Sequence, residues 1–161
     1  GALILSLALA GPLHAQDRWA PWRAFHYGDE TGTAVSVPPG QYLAAATADE
    51  PPRVLWLLTV SAQAEPGESA YTEARIEVRC GSQYFHSMGH ADFDARGRKL
   101  SEFGGIADYW ESSDGTYRDI VRWICEGTQT NPLGPTAETS LAFARMYRAH
   151  LARTPRADRS E

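Results

Sequence analysis

The sequence predicts an α+β domain: an antiparallel sheet of five or six strands packed against one helix, with a second helix appended at the C-terminus. Three patterns carry that expectation. Residues 71–80 alternate, Ile76, Val78 and Cys80 against Arg75, Glu77 and Arg79, as in an antiparallel strand with one buried face and one solvated by charges. Arg53 to Val60 is a near-continuous apolar run rich in β-formers, as a central strand requires. Tyr117, Ile120, Val121 and Ile124 recur at helical spacing, and Leu141, Ala144, Tyr147, Arg148 and Leu151 line a mostly apolar stripe on a later helix.

A chain of 161 residues, 43% apolar and 11% aromatic, suits one ordinary domain and excludes a disordered one. The net charge of −5 speaks against a nucleic-acid partner, which would call for a basic excess. The opening Gly-Ala-Leu-Ile-Leu-Ser-Leu-Ala-Leu-Ala is uncharged. With Pro12 to Ala15 it reads as the core and cleavage region of a secretory signal, residues 1–15, leaving Gln16 as the new N-terminus. A basic start is missing and residue 1 is Gly, so the first few residues of a precursor are expected to be absent. The run is about half the roughly 20 residues a membrane span needs, so no membrane span is expected.

The elements follow in order. Trp19 to Tyr27 is aromatic-rich and ends at a turn, Gly28 to Gly32. Thr33 to Val37 alternates as a short strand stopped by Pro38-Pro39-Gly40, and Pro51-Pro52 bounds the loop before the central strand. After the turn at 64–68 and the alternating strand, Gln83–Phe93 and Lys99–Tyr109 are expected to form two arms. They meet around Asp94 to Arg98, where Gly97 supplies a positive φ; Gly104-Gly105 suggests a bulge or bend in the second arm. Ser112 to Asp114 offers caps for the first helix. The organisation is then a sheet-and-helix domain at 17–127, a linker at 128–135, a helix at 136–153 capped by Thr136, and a polar tail at 154–161.

Export bears on the two cysteines. Cys80 and Cys125 have no CxxC spacing and no further partners, which disfavours zinc. An oxidising compartment makes a disulfide the economical pairing, with two separate buried thiols as the alternative. A bridge would staple the first helix to the strand ending at Cys80.

Residues 53–125 resemble the surface-adhesin E-like family of small exported bacterial proteins. The matching pieces are the strand Val54-Leu-Trp56, the strand ending in Cys80, the turn Phe93-Asp94-Ala-Arg-Gly97, and Trp110 before Ser112-Ser113 and a helix ending in Cys125. The resemblance implies an antiparallel sheet on one helix, held by a Cys80–Cys125 disulfide. For the adhesin that gives the family its name it implies binding of host extracellular-matrix and serum proteins. The second helix and the lack of an evident lipoprotein Cys depart from that pattern.

Candidate chemistry is sparse. His86, His90, Asp92 and Asp94 share strand parity and would line one face, the densest set of possible metal ligands. Residues four apart on a strand, however, lie roughly 13 Å apart, so only a bend at Gly89 would join the two histidines, and a polar solvent-facing strand is the expectation. Asp92-x-Asp94-x-Arg96-Gly97 begins like a calcium loop but has Arg at the fifth position and Phe103 at the twelfth; a tight hairpin is expected instead. No GxSxG, GxxxxGK[ST] or GxGxxG occurs, and the five His (His14, His26, His86, His90, His150) include one in the expected signal and one in the terminal helix. No catalytic residue, metal or cofactor is therefore assigned. Trp19, Trp22, Phe25 and Tyr27 form a candidate binding patch, against the alternative of core packing. Residues 139–161 carry five Arg and two acids, so the last helix could dock on an acidic body or simply present a solvated face. The functional expectation is an exported, non-catalytic envelope protein, periplasmic or at the cell surface. It would be adhesin-like, binding a host-matrix or envelope protein. A periplasmic inhibitor or assembly accessory is the alternative, and an enzyme with a dispersed carboxylate or His site a third.

Overall fold

The computed structural model describes residues 21–38, 44–82, 84–105, 111–112, 115–127 and 135–154. The expected signal segment, most of the linker and the tail beyond Thr154 lie outside them. Six long strands form an antiparallel meander: β1 (Trp22–Tyr27), β2 (Thr31–Ser36), β3 (Arg53–Ser61), β4 (Tyr71–Arg79), β5 (Tyr84–Phe93) and β6 (Lys99–Gly104). Two-residue pieces extend it, with β7 (Glu111–Ser112) pairing β5 and β8 (Thr136–Ala137) pairing β1. Helices α1 (Gly115–Glu126) and α2 (Ser140–Arg153) complete the α+β fold.

The continuous apolar run of β3 is explained by what lies on its two sides. Leu55 and Leu57 join Val35, Ile76, Val78 and the α1 residues Ile120, Val121 and Ile124 in one core. Trp56, Leu58 and Val60 join Trp22, Tyr71 and the α2 residues Phe143, Ala144 and Tyr147 in another. Each helix thus covers its own face of the sheet, and a strand buried on both faces has no polar alternation to show. The C-terminal helix is present as expected, but as a third layer with a core of its own.

This placement also corrects the expected solvation of β4. The side chains opposite Ile76 and Val78 lie on the α2 face, where Tyr71 and Glu73 are buried. The Glu73 carboxyl accepts from the hydroxyl of Ser140, the first residue of α2, which ties the start of that helix to the sheet. Helix α2 starts later than expected. Thr136 is used in β8, and the cap is Thr139, whose hydroxyl accepts from the amide of Ala142 at 3.1 Å. The first helix likewise starts at Gly115, because Ser112 pairs with Tyr84 in β7; Ser113 and Asp114 lie outside the described residues.

Polar clamps hold the layers. Cys80 and Cys125 form the disulfide, with Cα atoms 5.4 Å apart, and tie the end of β4 to the end of α1. Arg53, buried at the start of β3, forks onto Glu50 at 2.8 and 2.9 Å and donates to the Ile124 carbonyl at 2.7 Å. It thereby satisfies one of the carbonyls that a helix C-terminus leaves open. On the other face Arg148 reaches the carbonyls of Ser61 and Ala70, gripping the β3–β4 turn. Gly32 is needed on this face: a Cβ there would lie 2.6 Å from the Tyr147 ring, and the Tyr147 hydroxyl donates to the Gly28 carbonyl at 2.7 Å.

Candidate functional site

The β5–β6 hairpin carries the most chemically dense described surface, and its geometry starts with the turn. Asp94 is buried and accepts from the amides of Arg96 and Arg98, both at 2.9 Å, and from the Arg98 guanidinium at 2.7 Å. Gly97 adopts the left-handed φ of 86°, the conformation expected of it. The Arg98 amide first, then its guanidinium and the Arg96 amide, outweigh burial and hold the Asp94 carboxyl below its ordinary range. Asp94 is thus committed to the hairpin.

The expected shared face of His86, His90 and Asp92 is not formed. In the β4–β5 ladder Arg75 pairs Gly89 and Ile76 pairs Ser87, leaving Met88 as an extra residue. A bulge of this kind reverses the in–out alternation. His86 consequently pairs Glu77 on the α2 side, with Nδ1 at 3.8 Å from its carboxylate. His90 and Asp92 stay on the α1 side, where His90 lies against Phe103 with ring centroids 5.1 Å apart. The bulge at Met88 puts the two histidines on opposite faces, so no bend at Gly89 joins them.

The same register assembles a feature that no linear pattern showed. Across the α1 side, beyond the residues that α1 covers, His26, Thr33, Thr59, Thr72, Asp92 and Ser101 are successive cross-strand partners on six strands. Asp92 is the hub. It accepts from the Thr72 hydroxyl at 2.6 Å and the Ser101 hydroxyl at 2.7 Å, with the Ser69 hydroxyl 3.4 Å away. Burial alone would raise this carboxyl. The Thr72 and Ser101 hydroxyls, then the His90 charge and Ser69, more than offset it, so Asp92 titrates below its usual range and is an anion at neutral pH.

Next to this row runs the sheet's open side. Leu100 and Phe103 on β6 are 42% and 54% exposed. Leu100 is the extra residue of a second bulge, between the pairs Phe93–Lys99 and Asp92–Ser101. From Ser101 to Gly104 the strand pairs regularly with β5, and as the first strand of the sheet order it has β5 as its one neighbour among the described residues. Lys99 and Glu102 form an ion pair by way of the Lys99 Nζ.

The candidate aromatic patch does not form one surface. Trp22 is 2% exposed in the α2-side core. Phe25 turns the other way, edge-on to Trp123 at 6.2 Å. Tyr27 packs against Phe143, Tyr147 and His150 at 5.9, 5.4 and 5.1 Å, and Trp19 lies outside the described residues. The bulge at Phe25, left over between the pairs Ala24–Ala34 and His26–Thr33, sends neighbouring rings into opposite cores. Core packing is what these three rings do.

No group of three or more His, Cys, Asp or Glu suited to a metal ion occurs among the described residues, and none of the described helices is long and apolar enough to cross a membrane. Comparison with known proteins finds no matching family model, no similar curated protein and no similar solved structure.

The three carboxylates displaced below their ordinary range share a consequence for pH. Glu50, lowered chiefly by the Arg53 hydrogen bond, Asp92 and Asp94 each bind a proton less readily when folded than when unfolded. Their stabilisation is therefore complete above the unfolded carboxylate pKa of about 4 and is lost as pH falls through the lower folded values. Urea unfolding should show a plateau from about pH 5 upward and a decline below about pH 4. Asp94→Asn should flatten part of that decline, because its bond to Arg98 no longer depends on ionisation. A decline already under way between pH 7 and 5 would contradict this assignment.

Proposed function

We propose that this chain is an exported, disulfide-stapled, non-catalytic protein-binding module of the bacterial envelope, which receives its partner along β6. The observation that carries the reading is the exposure of β6, with Leu100 and Phe103 presented to solvent at 42% and 54% on a strand that closes the sheet order. An edge strand offers half its backbone N–H and C=O groups to an added strand, while side chains beside it supply selectivity. The bulge at Leu100 and the charge of Lys99 are the usual protections against indiscriminate pairing. They leave Ser101 to Gly104 regular and accessible.

Other observations point the same way. Both faces of the central sheet are occupied by the chain's own helices, so the described core has no open apolar face competing with the edge. The perturbed carboxylates are engaged as ionised acceptors in structural bonds, the reverse of what a general acid at neutral pH needs. The disulfide fits an oxidising compartment, in line with export, and the resemblance of residues 53–125 to the surface-adhesin E-like family adds a binding role.

The test is affinity capture by the oxidised mature chain from separate envelope and host-matrix extracts, alongside Glu102→Pro and Phe103→Asp variants. The Gly105 amide bonds the Met88 carbonyl, so in this register the Glu102 N–H points away from β5. Proline removes a backbone N–H from the edge, and the aspartate replaces the exposed ring. A protein retained by the parent chain and lost with both variants is expected. Its recovery from matrix supports the adhesin-like role, and from envelope the inhibitor or accessory role. Capture that neither variant reduces would overturn the assignment to β6.

A further inference from the structure

The α1 side of β6 has chemistry that selects one kind of side chain. Thr72 and Ser101 donate to Asp92, and Ser69, 3.4 Å from both the Asp92 carboxylate and the Tyr71 carbonyl, gives its proton to one of these two acceptors. A hydroxyl has one proton, so these three present only lone pairs outward, around a carboxylate that is itself anionic. The local chemistry is all acceptor. One register step away stands Phe103, 54% exposed; it pairs with His90, and Ser101 pairs with Asp92. Phe103 and Asp92 are thus diagonal neighbours on adjacent strands, at a separation of about 7–8 Å. A flat ring and an anionic acceptor cluster at that spacing suit a planar cation, which stacks on one and donates to the other.

Nearby cations are turned elsewhere. Lys99 pairs Phe93 and Glu102 pairs Ala91 in the ladder, which places their mutual ion pair on the α2 side. Arg98 is held by Asp94 in the turn. The groups facing the cluster from the sheet are His90, beside Phe103, and His26 at the far end of the hydroxyl row.

From this juxtaposition we propose that the β6 site recognises an arginine of its protein partner, carried on an extended segment laid along Ser101 to Gly104. The guanidinium lies on Phe103 and donates to Asp92 and its hydroxyls. This inference rests on β6 being the docking strand and adds the residue that the strand selects. The chain's net charge of −5 favours approach of such a basic segment.

The experiment uses the full oxidised chain and three alternating Thr-Val octapeptides that differ at one central position, Arg, citrulline or Glu. Binding is read by fluorescence anisotropy and by backbone amide shifts. The Arg peptide is expected to bind at least tenfold more tightly than the others and to shift amides of residues 101–104. Asp92→Asn in the protein should bring Arg and citrulline within twofold of each other, and Phe103→Leu should weaken the Arg peptide selectively. Thermal unfolding checks that both variants are folded. Equal shifts at 101–104 with all three peptides would overturn arginine selection while leaving β6 as a docking strand. Absence of any shift there would count against both.

Discussion

Phe143→Ala is expected to destabilise the chain by about 4 kcal/mol, within the range for removing a buried aromatic side chain, and to leave a single cooperative transition. The residue is fully buried in the core shared with Trp22, Leu58, Tyr71 and Tyr147. That core is built from β1, β2, β3, β4 and α2 together, so α2 cannot melt without exposing the sheet. If α2 were an appendage, the same change would cost little in the global transition, and the helix would be lost in a separate step at lower denaturant. Urea unfolding followed by tryptophan fluorescence and by far-ultraviolet circular dichroism distinguishes the two. Coincident curves with a midpoint shifted downward are expected; separated curves would contradict the three-layer packing.

The second large effect concerns the opposite layer. Replacing Cys80 and Cys125 by Ala should cost about 4 kcal/mol, because the bridge closes a loop with a sequence separation of 45 residues. Reduction of the parent chain should cost a similar amount. The loss is limited by what else holds the end of α1. Arg53 donates to the Ile124 carbonyl, and the Ala46 amide donates to the Cys125 carbonyl at 2.7 Å. The reduced chain is therefore expected to stay folded at low temperature, with the fast-exchanging amides concentrated in α1. Equal stability of the reduced and oxidised chains, measured in urea, would remove the staple from the account.

The parts of this fold legible in the sequence were those written in local patterns. The period-2 run of β4, the apolar run of β3 and the helical stripe of α1 each reflect a side chain's position relative to its own neighbours. The hairpin at Asp94 was legible because an Asx-type acceptor and a glycine three positions apart perform a local task. The pairing of Cys80 with Cys125 followed from their number and the expected compartment.

What escaped depends on register. Three bulges, at Phe25, Met88 and Leu100, reset the in–out alternation of β1, β5 and β6, and nothing at those positions announces an extra residue. The bulge at Met88 divided His86 from His90; the one at Phe25 dispersed the aromatic stretch into two cores. The row from His26 to Ser101 joins residues on six strands, so its members share no sequence spacing. Phe103 was visible only as a calcium-loop position with the wrong side chain. Arg148, placed on an apolar stripe by its spacing, proves to be the clamp on the β3–β4 turn, because its stem packs while its guanidinium reaches carbonyls. The second core was hidden by the charges of β4: Glu73 reads as a solvated position until Ser140 arrives from the far end of the chain.

The proposed recognition site is the exposed β6 edge, away from the faces the helices cover. Site-specific photocrosslinking tests this most directly, with benzoylphenylalanine installed at Phe103 or, separately, at the exposed α2 residue Arg145. Each oxidised chain is irradiated in the extract that yields a partner. An adduct formed from position 103 and not from position 145 is predicted. An adduct from position 145 alone would place the partner on α2 and contradict the reading of the edge.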